Sequence, residues 1–189
     1  MKAKSISTYD LCVMGVFTAI IAVMAQIVIP MPLGVPMTLQ TLAIMLAGVM
    51  LGTKKAVIIT VLYVLMGAIG APVFQSMTGG LGIVFGPTGG FILSFPILAL
   101  AVGIGADKNS KAPQNSPAKA AWLWGGLVTG VLVNYLCGTI YFSIYTSNTF
   151  ITSLAACTLP FIPTDIIKIT TAGLVGIKVR SLIVNRNMI

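Results

Sequence analysis

Apolar residues run along this chain in six blocks, at residues 11–29, 37–52, 56–70, 91–106, 120–142 and 156–177, separated by connections rich in glycine, proline or lysine. A helix that crosses a bilayer needs about 20 mostly apolar residues, somewhat fewer when loops cap it. The pattern therefore predicts an all-α integral membrane protein, with six transmembrane helices forming one domain over residues 1–189. The second and third blocks are short, so one of them is expected to tilt or to enter the membrane only in part.

Composition excludes a soluble domain. Hydrophobic residues make up 57% of the chain and charged residues 7%, with a mean hydropathy of +1.04, which leaves too little polar surface for a water-soluble fold. The net charge of +8 raises the question of nucleic acid, yet the basic residues form no clustered face. They follow the topology instead, because Lys and Arg gather on short cytoplasmic loops. Lys2 and Lys4 precede the first block, and Lys54 and Lys55 join the second to the third. Lys108, Lys111 and Lys119 join the fourth to the fifth, and Lys178, Arg180 and Arg186 follow the sixth. The opposite connections, at 30–36, 71–90 and 143–155, carry no charge. Both termini are thus expected in the cytoplasm, and nucleic acid is not an expected partner. The first block, led by Lys2 and Lys4, looks like a signal peptide, but it is too long and lacks a small-residue cleavage pattern before Pro30. It is expected to stay as a helix. Cys12, Cys137 and Cys157 lie inside blocks without metal-ligand spacing and read as packing residues; neither a metal nor a cofactor is expected.

One block holds charge, for Asp165 and Lys168 sit three residues apart within the sixth. An ionisable side chain at bilayer depth costs a few kcal/mol even on lenient insertion scales, so such residues face a bundle interior and pair or bind something. Residues three apart share a helix face. The two either neutralise each other or jointly present an acceptor and a donor to a polar ligand. Asn134 lies near the middle of the fifth block, beside Tyr135. An amide in hydrocarbon needs partners, so it bonds a neighbouring helix or contributes to the same site. Tyr141 and Tyr145 fall toward the outer end, where an interfacial aromatic belt forms. Enzymatic chemistry is not indicated, because the chain has no His, no Glu and one intramembrane carboxylate, too few for a nucleophile with its base.

The connections add detail. Residues 70–90 read GAPVFQSMTGGLGIVFGPTGG. Glycine permits tight turns and close backbone approach, Pro72 and Pro87 stiffen the segment, and Phe74, Met77 and Phe85 are suited to covering an apolar body. A flexible linker would be polar and serine-rich, so the segment reads as a structured lid; the plainer alternative is a connector with no part in binding. Gly89 and Gly90 stand at the start of the fourth block, where backbone N–H groups at a helix N-terminus favour an anion such as a carboxylate. The first connection, IPMPLGVPMTLQ at residues 29–40, is stiffened by its prolines and ends on Gln40, either a ligand contact or an interfacial glutamine.

Four of these segments, VPMTLQT at 35–41, GAPVF at 70–74, GGLGIVFGPTGGF at 79–91 and PTDIIK at 163–168, together resemble the BioY family. Its members are the biotin-specific substrate-binding components of energy-coupling-factor vitamin transporters. The resemblance implies a compact six-helix bundle in the bacterial cytoplasmic membrane, holding one biotin near the outer surface under outer loops 30–36 and 71–90. It also implies partners, a transmembrane coupling protein and two ATPase subunits. In keeping with that, the chain has no GxxxxGK[ST] loop to cradle nucleotide phosphates. Members of this kind dock the coupling protein through two alanines four apart on the first helix; Gly15 and Ala19 match here, glycine replacing the first alanine and keeping the surface small. Packing inside the bundle is the alternative for that pair. For biotin itself, Asp165 suits a ureido N–H and Lys168 the ureido carbonyl, while the tail carboxylate is expected at the Gly89 and Gly90 backbone or at Gln75. Phe74, Asn134, Tyr135 and Gln40 complete the expected site. The reverse orientation, with Lys168 on the carboxylate, stays open, as does a proton- or ion-coupled carrier of a small polar solute that uses Asp165 and Lys168 as a relay.

Overall fold

The computed structural model describes residues 7–30, 35–113 and 116–185. Lys2, Lys4 and Arg186, which carry part of the charge pattern, lie outside the described residues. In chain order the elements are α1 (Thr8–Ala25), β1 (Val28–Ile29), β2 (Met37–Thr38), α2 (Gln40–Leu51), α3 (Thr53–Ala68), α4 (Leu81–Val84), α5 (Gly89–Lys111), α6 (Pro117–Thr146), α7 (Phe150–Cys157) and α8 (Ile162–Asn185). By length and composition α1, α5, α6 and the stretch through α7 and α8 are able to cross a membrane. Helices α2 and α3 are shorter, with 12 and 16 residues, so α2 is about 18 Å long at the standard rise. The chain is a multi-pass integral membrane protein.

Local chemistry sets where the elements end, and several ends differ from the apolar blocks. Ser7 and Asp10 form a capping box that starts α1. The first helix was expected to reach residue 29 but stops at Ala25. Ile27, Val28 and Ile29 are β-branched and lead into Pro30, a combination that favours extended backbone. Val28 and Ile29 pair antiparallel with Thr38 and Met37, so α2 begins at Gln40 rather than at 37. Gly52 alone joins α2 to α3 with a φ of 79°, open to glycine at low cost; Lys54 and Lys55 consequently lie in the first turn of α3, not in a loop. The sixth block was expected as one helix over 156–177 and is two elements. A 3-10 turn at Leu159–Phe161 separates α7 from α8, because Pro160 and Pro163 lack the backbone donor that a continuous helix requires.

Packing then brings the helices together. Helix α5 lies along α6, α2 and α3 pack on α5, α2 also packs on α8, and α1 packs on α2 and α3. Where α5 meets α6, a Cβ on Gly105 would stand 2.9 Å from the Gly126 Cα; the missing side chains let the backbones touch, which favours association where lipid supplies no hydrophobic force. One end of the bundle is fastened by ions. Lys55 meets Asp10 at 2.7 Å, joining α3 to α1. Asp107 on α5 accepts from the Thr53 backbone N–H and hydroxyl, at 3.1 and 2.6 Å, and from Arg180 of α8 at 2.7 Å. Arg180 also donates to the Val49 carbonyl at 2.9 Å. These contacts gather the starts of α1 and α3 with the ends of α5 and α8, the positions where the described basic residues concentrate.

Candidate functional site

The opposite end of the bundle holds a cavity. Helix α8 places Asp165 and Lys168 one turn apart on one face, 2.6 Å from each other, and they are 4% and 5% exposed. The Tyr135 hydroxyl of α6 donates to Asp165 Oδ2, and Lys168 Nζ donates to Thr41 Oγ1 of α2 at 3.3 Å. Three helices thus converge on one ion pair. Asp165 Oδ1 faces the ammonium but receives no directed hydrogen bond. Desolvation offsets most of the Coulomb gain of a buried pair, so stability alone is a weak reason for charge at this depth, and a carboxylate oxygen that meets only the ammonium keeps a second lone pair for a ligand.

The neighbouring polar groups are also held in place. Asn134 donates to the Phe91 carbonyl at 3.1 Å and to Ser94 Oγ at 2.7 Å, which spends its amide hydrogens; among the described residues its carbonyl oxygen accepts nothing. Gln40 accepts from the Thr38 hydroxyl at 2.8 Å and donates to the Tyr63 hydroxyl at 2.6 Å, which in turn donates to the Val73 carbonyl at 2.8 Å. This chain of bonds ties the strand pair, α3 and the lid segment together. Phe74 stands edge-on to Tyr63, with ring centroids 5.6 Å apart, and its ring covers Gly67, where a side chain would collide with it.

Together these groups line one cavity with roughly 560 Å³ of atom-free space including its open mouth. Val35, Met37, Phe91, Ile92, Phe95 and Phe161 supply apolar wall, with Thr38, Thr41 and Thr88 beside them. Asp165, Lys168, Gln75, Phe74, Asn134, Tyr135 and Gln40, all anticipated from the sequence, are part of this lining. Gly89 and Gly90 are not among the residues that line it. The Gly89 N–H donates to the Gly86 carbonyl at 2.9 Å, and a side chain on Gly90 would strike Tyr141 and the Cys137 carbonyl. Gly90 thus serves the packing of α5 on α6, a side chain on Gly89 would strike the Val84 carbonyl of α4, and Thr88 of that motif reaches the cavity. Gly15 and Ala19 lie on the exposed face of α1, away from buried Met14, Thr18, Ile21 and Ala25. A Cβ on Gly15 would meet nothing within 4 Å, so this pair does not pack inside the bundle. Among the described residues no group of three His, Cys, Asp or Glu is placed to hold a metal ion.

Sequence reasoning missed Thr41, Thr88, Tyr63 and Ser94. The first two stand inside segments already singled out, but a threonine at a helix start reads as a cap. Tyr63 and Ser94 are lone polar groups in apolar blocks, and only the assembled fold reveals their partners.

The sequence model of the BioY family matches residues 1–185. The biotin transporter BioY of Thermotoga maritima is 33% identical over 172 residues, which cover 91% of this chain and 96% of that protein. The probable biotin transporter BioY of Pyrococcus horikoshii is 34% identical over 176 residues, 93% of this chain and 96% of its own length. Among solved structures, the S-component for biotin from an ECF-type ABC transporter aligns with a TM-score of 0.80 at 28% identity, covering 91% of this chain and 90% of that one. The fold, the cavity and these matches agree, and this chain belongs to the BioY family.

Proposed function

We propose that this chain captures biotin in the cavity between α2, α5, α6, α8 and the lid, as the substrate-specific component of an ATP-driven energy-coupling-factor transporter. The observation that carries this reading is the buried Asp165–Lys168 pair on the cavity wall, held by Tyr135 and Thr41. Biotin carries a flat ureido group with two N–H donors and one carbonyl acceptor. Asp165 Oδ1 and the Asn134 carbonyl are acceptors for the N–H groups, and the Lys168 ammonium is a donor for the carbonyl. Charge-assisted hydrogen bonds are roughly twice as strong as neutral ones. Phe74, Phe91 and Phe95 suit the thioether ring, and Gln75 on the lid, which lines the cavity, suits the tail carboxylate, with the Gly90 backbone N–H as the alternative donor.

In this reading α1, α2, α3, α5, α6 and α8 are six spans, both termini face the cytoplasm and the cavity opens outward. The charge pattern supports that orientation, because the described lysines other than Lys168, and Arg180, sit at the end of the bundle away from the cavity. Capture alone does not move a solute inward. A transmembrane coupling protein seated on the Gly15 and Ala19 face of α1, with two ATPase subunits, supplies the driving force. Calorimetric titration of biotin, desthiobiotin and thiamine into the detergent-purified protein tests the proposal. Tight binding of biotin without binding of thiamine is expected, and folded protein that ignores biotin would overturn it.

A further inference from the structure

The tip of the lid is a strained hairpin. Phe74 and Thr78 form an antiparallel bridge, with the Phe74 N–H donating to the Thr78 carbonyl at 3.0 Å. The Thr78 N–H and hydroxyl both donate to the Gln75 carbonyl, at 3.2 and 2.7 Å. At the tip Ser76 and Met77 each have a φ of 55°. Positive φ at both central residues is what a type I′ turn demands, and Asn-Gly fills it at least cost. Serine and methionine have no such tolerance, since an L side chain in this region crowds the following carbonyl. Met77 gains no packing in return, being 69% exposed. A restraint from outside the hairpin is needed.

Gln26, the residue that follows α1, supplies one. Its amide oxygen accepts the Met77 N–H at 2.8 Å, and its amide nitrogen donates to the Phe74 carbonyl at 3.0 Å and to the Ala22 carbonyl of its own helix at 2.9 Å. The two lid contacts bracket Gln75 and Ser76. Phe74 and Gln75 line the cavity while Gln26 does not, so Gln26 acts on a ligand only through the lid. We infer that Gln26 is a clamp that holds the hairpin of residues 74–78 shut and thereby sets how long the bound ligand stays. Release of the amide lets Ser76 and Met77 relax out of positive φ, draws Phe74 and Gln75 off the cavity wall and opens an exit. For its ligand this inference rests on the biotin reading; the clamp itself belongs to the unliganded chain.

The test compares wild type with Gln26→Met, which keeps length and removes the donors and the acceptor. Two quantities are read: dissociation of labelled biotin during a chase with unlabelled biotin, and amide hydrogen exchange of the 74–78 segment without ligand. Loss of the two lid hydrogen bonds, each of ordinary net strength, predicts dissociation about tenfold faster, association within about twofold of wild type, and faster exchange of the Met77 amide. Adding Ser76→Asn with Met77→Gly to Gln26→Met should restore slow dissociation, because that turn holds itself. Wild-type dissociation and exchange in Gln26→Met would overturn the inference. So would a variant whose association and melting temperature fall together and that the Asn-Gly turn does not rescue, for that pattern marks a general structural role. Wild-type protein that fails to bind biotin, with exchange still faster in Gln26→Met, would overturn the biotin reading and support the clamp.

Discussion

Replacing Asp165 by asparagine keeps the shape of the side chain and removes its charge. On the proposed reading this change has two consequences. A ligand N–H loses a charged acceptor, and hydrogen bonds to charged groups contribute about 1.5–3 kcal/mol. At about 1.4 kcal/mol per factor of ten, biotin binding should weaken roughly 10- to 150-fold. Lys168, 5% exposed, also loses its counter-ion and retains only Thr41. Breaking a buried pair from one side costs about 3–5 kcal/mol, so the melting temperature should fall as well. Calorimetric titration together with thermal unfolding of the unliganded protein separates the two effects. The double variant Asp165→Asn with Lys168→Met removes the stranded charge, so it should regain melting temperature without regaining affinity. An Asp165→Asn protein that is folded and binds biotin within about twofold of wild type would refute the assignment.

Other sites give independent checks. Gly67→Ala should push the Phe74 ring off the cavity wall, at the roughly 1–3 kcal/mol typical of overpacking, read as a lower melting temperature and weaker biotin binding. Arg180→Met removes bonds to Asp107 and Val49 and should cost about 1–2 kcal/mol after allowance for partly exposed Asp107; thermal unfolding should shift while biotin affinity stays unchanged. Gly15→Leu with Ala19→Leu roughens the exposed face of α1. Binding should persist while uptake of labelled biotin, measured in cells that supply the coupling partners, is lost. In the same assay uptake by wild type should stop on ATP depletion and continue when proton and sodium gradients are collapsed.

Much of this was legible in the sequence because membranes impose severe rules. Charge at depth stood out against apolar surroundings, so Asp165 and Lys168 were found directly, and Asn134 was found by the same logic. Helix ends were less legible, since hydrophobicity marks what bilayer or core covers and not where backbone turns. The run Ile27 to Pro30 is apolar yet extended, and Pro160 breaks a block of even hydropathy. Gly89 and Gly90 were ambiguous because a glycine at a helix start serves anion binding and close packing equally well; the packing role shows only in Val84, Tyr141 and Cys137, which stand against them in the fold. Gln26 carried no local signal at all. Its meaning comes from Phe74 and Met77, about fifty residues away along the chain.

A structure of this protein with biotin bound tests the central claim most directly. The ureido group is expected against Asp165 and Lys168, within hydrogen-bonding distance of both, and the tail carboxylate toward Gln75. Biotin bound with its carboxylate on Lys168, or bound outside this cavity, would contradict it.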